Sequence, residues 1–339
     1  MKYQLSINST DKKPPLISVI VPAFNVSQFI SESLDSIFSQ DFGDFEIIVV
    51  NDGSPDTNDL ERVLAPYREH ITYLKQENKG ISGARNTALR VARGEYIALL
   101  DGDDVWLSNK LSEQVGFMKS GSYDLVYADA YLVGESPWPA GATFMEKSPS
   151  DGEVTSESLL ALRCCVLLST VLARKQAIID AGMFDEQIRV AEDFDLWVRM
   201  ALNGNRFGYQ RHVLAKYRYR GNSLSADRIR LQEGGLRVLD GLQARNDLNR
   251  RDREALECTA AKLRLGVSLE RGKLMILKGD FQAAQQLLSE ARKQSKSWKV
   301  TFALIGLHTA PRTLQKLYKS RQANALRSGT KPNSTESHE

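Results

Sequence analysis

The chain has 339 residues, 42% hydrophobic and 26% charged, enough for one large core with a smaller annex and too ordinary for a fibrous or disordered protein. A formal charge of +3 is small for this length and gives no support to nucleic acid as a partner. Cys164 and Cys165 are adjacent and Cys258 is distant, which excludes zinc-ligand spacing and a disulfide framework and suits a reducing compartment.

Residues 1–16 read as a polar, disordered lead without the apolar core of a signal peptide, and no run approaches the ~18 apolar residues of a bilayer span, so a cytoplasmic location is expected. Leu16–Val21 is a β-branched run of strand length, with Pro22 as its terminator and Ala23-Phe24-Asn25 as a polar exit. The pattern predicts a helix near 28–40 with Ser27 as N-cap, a strand at 45–50 ending in Asn51-Asp52-Gly53-Ser54, a helix over 56–68, a strand over 71–75, and a helix over 81–93 closed by Gly94. Such alternation means an α/β fold, a doubly wound, mostly parallel sheet, in which ligands gather beyond the carboxyl ends of the strands.

Tyr96–Leu100 is a short apolar run that stops at Asp101, Asp103 and Asp104. Three carboxylates so close repel one another unless a cation or backbone donors meet them, and an oxygen-only set favours magnesium or manganese. Read alone, the tripeptide is equally a solvated acidic turn, Asp52-Gly53-Ser54 a capped turn, and Arg85 a surface residue. Asp104 is most simply a cap for a helix over 107–118. No Gly-x-Gly-x-x-Gly and no Gly-Lys-Ser/Thr follows any strand, which disfavours dinucleotide and P-loop readings.

Further along, 124–131 reads as a strand, and 132–154, with Pro137, Pro139 and Pro149, as an irregular segment that either varies freely or covers an acceptor. Glu192 and Asp193 open an amphipathic helix whose Leu196, Trp197, Met200 and Ala201 face the core, which sets both acids near its positive end. Strand character returns over 207–220. From Ala226 the composition turns to helix formers, giving a helical annex over 226–320 and a disordered basic, polar tail over 321–339.

Val21-Pro22-Ala23-Phe24-Asn25, Asn51-Asp52-Gly53-Ser54, Asn78-Lys79-Gly80 with Ala84-Arg85-Asn86, and Leu100-Asp101-Gly102-Asp103-Asp104, in this order and spacing, resemble the family 2 glycosyltransferases of GT-A fold. The resemblance covers roughly 17–225 and implies an inverting enzyme that takes a sugar from a nucleotide diphosphate donor, such as a UDP-sugar. It implies that Pro22, Ala23, Phe24, Asn25 and Gly80 line the donor site, with Asp52 accepting a hydrogen bond from the nucleobase. Asp101 and Gly102 would lie by the ribose, Arg85 near the uridine or diphosphate, and Asp103 on a divalent metal, Mn2+ or Mg2+. It also makes Asp193 the general base for an acceptor hydroxyl, with Glu192 orienting the acceptor or supporting the helix. Relatives often have His where Arg220 stands, in a loop that closes on the diphosphate; Arg220 keeps the positive charge but cannot ligate a metal. Where the family commonly has two acids before the glycine, this chain has Asn51, so any role of the first acid is lost.

The expected function is metal-assisted transfer to a glycan or lipid-linked acceptor. A magnesium-dependent phosphoryl or nucleotidyl transferase and a catalytically silent scaffold are the alternatives. Between Ala291 and Lys331 stand Arg292, Lys293, Lys296, Lys299, Arg312, Lys316, Lys319, Arg321, Arg327 and Lys331 and no acid, interleaved with Trp298, Phe302, Ile305 and Leu317. That composition suits peripheral contact with the anionic inner face of the cytoplasmic membrane, or equally a helix packed on the catalytic domain with a solvated basic face.

Overall fold

The computed structural model describes residues 13–135, 138–221, 227–295 and 297–327, the side chains of 321–327 excepted. Most of the polar lead, residues 222–226 and the end of the tail lie outside the described residues. The chain runs β1 (Ile17–Ala23), α1 (Ile30–Phe38), β2 (Phe45–Asp52), α2 (Thr57–Leu64), β3 (Thr72–Gln76), α3 (Gly80–Val91), β4 (Tyr96–Leu99), β5 (Val105–Trp106), α4 (Lys110–Gly121) and β6 (Leu125–Gly134). It continues through α5 (Ser156–Leu160), β7 (Leu172–Arg174), α6 (Lys175–Asp180), α7 (Glu192–Leu202) and β8 (Phe207–Tyr219). Five helices follow: α8 (Arg228–Gln243), α9 (Arg250–Lys278), α10 (Phe281–Gln294), α11 (Trp298–Thr309) and α12 (Pro311–Arg327).

One eight-stranded sheet has the order β3-β2-β1-β4-β7-β6-β8-β5. β1 is buried along its whole length between β2 and β4, both parallel to it, which is why its sequence is a continuous apolar run. The chain winds outward from β1 to β2 and β3, then returns to place β4 on the other side of β1, so the switch point lies between β1 and β4. Beyond β4 the sheet becomes mixed: β7 is antiparallel to both β4 and β6, β8 is parallel to β6, and the two-residue β5 pairs antiparallel with β8. This is the GT-A type of mostly parallel sheet with a helical region after it.

Several local expectations need correction. Pro22 lies inside β1, opposite Val50; pairing with β4 has already ended at Ile20, so the missing N–H is tolerated there. Ser27 does not cap α1, which begins at Ile30 after Phe29; its N–H instead donates to Asp56 Oδ2 at 2.9 Å. Phe38, the last residue of α1, is exposed and stacks on Tyr67. The helix expected from 107 starts at Lys110 after Asn109, and Asp104 has a different task, described below.

The helices after β8 fall into two packing groups. Val238, Leu239 and Leu242 of α8, with Leu256 and Ala260 of α9, belong to the same core as the sheet. The far end of α9 joins α10, α11 and α12 in a small separate core around Ile276, Leu288, Val300, Leu307 and Leu314. A capping box between Asn249 and Asp252 starts α9, and Asp252 Oδ1 also accepts from Ser156 Oγ at 2.8 Å, tying the helix to α5 beside the cleft.

Candidate active site

A cleft of about 1010 Å³ opens at the switch point. All the residues given a donor, metal, base or acceptor role from the sequence line it except Asn25. Asn25 sits just outside in a left-handed conformation, φ 55°, and its N–H donates to Ser54 Oγ at 2.6 Å, which pins the exit of β1 to the exit of β2.

Asp52 ends β2 and is buried; its Oδ1 accepts from Gln76 Nε2 at 2.7 Å and from the Lys79 N–H at 2.8 Å. Its Oδ2 receives no hydrogen bond from the described residues, so one lone-pair edge stays available to a ligand N–H. Asn51, by contrast, is committed to support: its Nδ2 donates to Tyr73 Oη at 2.9 Å and Thr57 Oγ1 at 3.1 Å, and its Oδ1 accepts from the Ser54 N–H. Gly80 opens α3 at φ +81°, where a side chain would be strained, and a Cβ there would lie 2.0 Å from the Arg189 guanidinium.

Arg85 is the centre of the site. It is 2% exposed, donates from Nη2 to Asp101 Oδ1 at 2.8 Å and from Nη1 to Glu192 Oε1 at 2.6 Å, and lies over the Phe184 ring. It thereby clamps the acid after β4 to the first acid of α7. Helix α3 is tied twice more to the segment that precedes α7. Asn86 Nδ2 donates to the Phe184 carbonyl at 2.8 Å while its Oδ1 accepts from the Phe184 N–H, and Ser82 Oγ donates to the Ile188 carbonyl.

The acids after β4 are each met differently. Asp101 is held by Arg85. Asp103 pairs with Arg220 at 2.7 Å, yet burial and the neighbouring Asp101 charge still push its carboxyl above the ordinary range. Asp104 is structural: fully buried, it accepts from Ser169 Oγ and from the Arg218 N–H, and burial followed by the Asp103 and Asp101 charges raises it well above a normal carboxylate. Arg218 braces the same turn by donating from Nε to the Asp103 carbonyl and by pairing with Glu32.

Asp193 stands in the first turn of α7. Its Oδ1 accepts from the Phe194 N–H at 2.8 Å, and no described cation makes an ion pair with it. Burial and the adjacent Glu192 push its carboxyl up to about 7, against the opposing pull of Arg85. Asp195, one turn face away, is neutralised by Arg199, whose Nη2 also donates to the Met183 carbonyl.

Among the described residues no group of three His, Cys, Asp or Glu is placed to hold a metal unaided. The chemistry of the acids nevertheless fits a divalent ion. Asp103 lines the cleft, offers hard oxygen donors, and lies beside a second carboxylate that raises its affinity for protons and, by the same field, for cations. The fit is to an ion held by this one carboxylate and completed by ligand oxygens.

Three features were absent from the sequence reading: the Arg218 brace, the Asn86 clamp and Arg189. Arg218 carried no motif of its own, and Asn86 stood in a motif without an assigned role. Arg189 lies outside every matched segment, and its cation at the start of α3 becomes visible only when 182–191 folds over Gly80.

Acids and arginines thus share one cleft at the switch point of the sheet, and comparison with known proteins shows the family to which such a site belongs. Residues 18–156 match the profile described as Glycosyl transferase family 2. The chain is 31% identical over 218 residues to TuaG of Bacillus subtilis (strain 168), whose name assigns it to teichuronic acid biosynthesis, covering 63% of this chain and 83% of that one. It is 29% identical over 220 residues to the Escherichia coli UDP-Glc:alpha-D-GlcNAc-diphosphoundecaprenol beta-1,3-glucosyltransferase WfgD, covering 63% and 81%. Two uncharacterized Rickettsia glycosyltransferases are longer proteins, of which the match spans 34% and 27%. Among solved structures, S. aureus TarS 1-349 in complex with UDP-GlcNAc superposes with a TM-score of 0.59 at 20% identity, over 94% of this chain and 93% of that one. The chain belongs to glycosyl transferase family 2.

Proposed function

We propose that the chain moves a sugar, with inversion, from a UDP-sugar to a hydroxyl of a lipid-linked or surface-glycan acceptor in cell-envelope polysaccharide synthesis, working at the inner face of the cytoplasmic membrane. The observation that carries this reading is Asp193: a carboxylate in the cleft with no ion-pair partner, pushed up to about 7 and so poised to take a proton. WfgD and TarS, with their UDP-linked sugars, support the donor class, and the diphosphate lipid in the WfgD name supports the acceptor class.

Asp52 Oδ2 would accept from an N–H of the nucleobase, while Gln76 and the Lys79 N–H hold the carboxylate in place from the other edge. Arg220 and Arg189 supply positive charge where the diphosphate would lie. Asp103 would hold Mn2+ or Mg2+, which when bound stabilises negative charge on the departing diphosphate. Asp193 takes the proton of the acceptor hydroxyl, the oxygen bonds to the anomeric carbon, and the bond from that carbon to the diphosphate oxygen breaks to release UDP. A single displacement from the opposite face inverts the centre and requires no second nucleophile. Arg85 holds Glu192 and Asp101 in register, so base and donor cannot drift apart.

A thermal-shift titration with UDP tests the donor half, because a ligand that binds only the folded state raises its stability. UDP with manganese raises the midpoint more than UDP with a chelator. Equal shifts in both would contradict the metal assignment, and no shift in either would contradict the donor class.

A further inference from the structure

Helix α11 is apolar on two sides but packed on only one. Val300, Ala303 and Leu307 face the small core with α9, α10 and α12. On the opposite face Trp298, Phe302 and Ile305 recur at i, i+4 and i+7 and are 71%, 57% and 56% exposed. A helix that is apolar all round belongs in a core or in lipid, and here half of it has neither. Leu317 of α12 adds to the exposed apolar surface.

The charges around this face are of one sign. Lys293, Lys299, Arg312, Lys316 and Lys319 are all exposed. The ion pairs of the annex, Arg264 with Asp240, Arg271 with Glu233, Lys273 with Glu270, Arg250 with Glu254 and Arg245 with Asp247, lie on α8, on α9 and in the turn between them. None involves α11 or α12 among the described residues, and the sequence supplies no acid there to make one.

We propose that the outer face of α11 is a membrane-docking surface whose partner is an anionic lipid bilayer. Trp298, Phe302 and Ile305 enter the boundary between headgroups and acyl chains, and the flanking lysines stay among the lipid phosphates. A second copy of this chain is the poorer occupant. An isologous contact would set each basic rim against its own image, and like charges across an interface oppose association. No described helix is long and apolar enough to cross a membrane, so the contact is peripheral. This inference deepens the membrane element of the proposed function but does not depend on the chemistry of the cleft.

Flotation of the full chain with phosphatidylglycerol-containing vesicles, and with pure phosphatidylcholine vesicles, tests it. Binding is expected to the anionic vesicles, to weaken at high salt, and to blue-shift tryptophan emission in a way that Trp298→Phe removes. Replacing Trp298, Phe302 and Ile305 together by serine lowers partitioning by about tenfold or more, and Lys299→Glu with Lys316→Glu by a similar factor. UDP binding stays unchanged in every variant, because these residues lie outside the cleft. Equal binding to neutral vesicles, no binding at low salt, or a lipid-free dimer that the triple-serine variant dissociates would each overturn the proposal. Loss of UDP binding by the native chain would instead sink the donor assignment and leave the docking surface standing.

Discussion

The turn after β4 and the first turn of α7 each carry three acids, and the structure treats them differently. After β4 every acid is answered: Asp101 by Arg85, Asp103 by Arg220, Asp104 by Ser169 and the Arg218 N–H. In α7, Glu192 is answered by Arg85 and Asp195 by Arg199, while Asp193 between them has only the Phe194 N–H of its own helix. A neutralised acid can organise a backbone, whereas half-buried Asp193, without an ion pair among the described residues, has a raised proton affinity.

The sharpest way to break that contrast is Asp193→Asn. Turnover is expected to fall by ~10²–10⁴ while UDP affinity stays within a few-fold, measured by initial rates and titration. The same variant should be more stable than the native chain above about pH 7. The native Asp193 ionises only near 7, whereas the unfolded residue ionises near its ordinary value of 3.8, so the folded state holds the extra proton between those limits. Stability from this group is therefore lost as pH rises through that window, and the amide does not lose it. Near-normal turnover would move the base elsewhere, Glu192 first.

Next in size is Arg85→Ala, which leaves Glu192 and Asp101 buried or half-buried without their shared cation. Breaking such a buried pair costs ~3–5 kcal/mol, read from the denaturant midpoint, and lysine should not restore it because one ammonium cannot fork to both acids. A loss as small as that of a surface ion pair would show that the clamp is not structural.

Asp103→Ala is expected to lower divalent-dependent UDP affinity by roughly one to two decades, as for loss of a charged interaction of ~1.5–3 kcal/mol. Affinity that keeps its full response to manganese would place the ion on another acid. The smallest effect should come from Glu192→Gln: removing the like charge beside Asp193 moves the acid limb of the rate profile below about 7 without abolishing it.

The loops that build the cleft were legible because their signals are local. An apolar run of strand length that halts at Asp52 or Asp101 states its own direction, and alternation with helices fixes which end of the sheet it reaches. What joins the loops was not legible. Arg85 reaches an acid 16 residues away and another 107 away, and Asn86 grips a segment 98 residues on, so the sequence around each says only that it lies on a helix. Asp104 looked like a helix cap because its partners, Ser169 and Arg218, are 65 and 114 residues distant. The antiparallel β7 and the two-residue β5 were missed for a related reason: they are held by pairing with distant strands, and three or two residues carry no period to read.

The proton affinity of Asp193 is the point on which site and chemistry meet, and the pH dependence of kcat at saturating donor and acceptor measures it. A rate that rises with pH through about 7 with the slope of a single deprotonation, and a residual rate in Asp193→Asn without that limb, is the predicted result. A profile that is flat through this range, or a limb that survives in the variant, would contradict the assignment of Asp193 as the base.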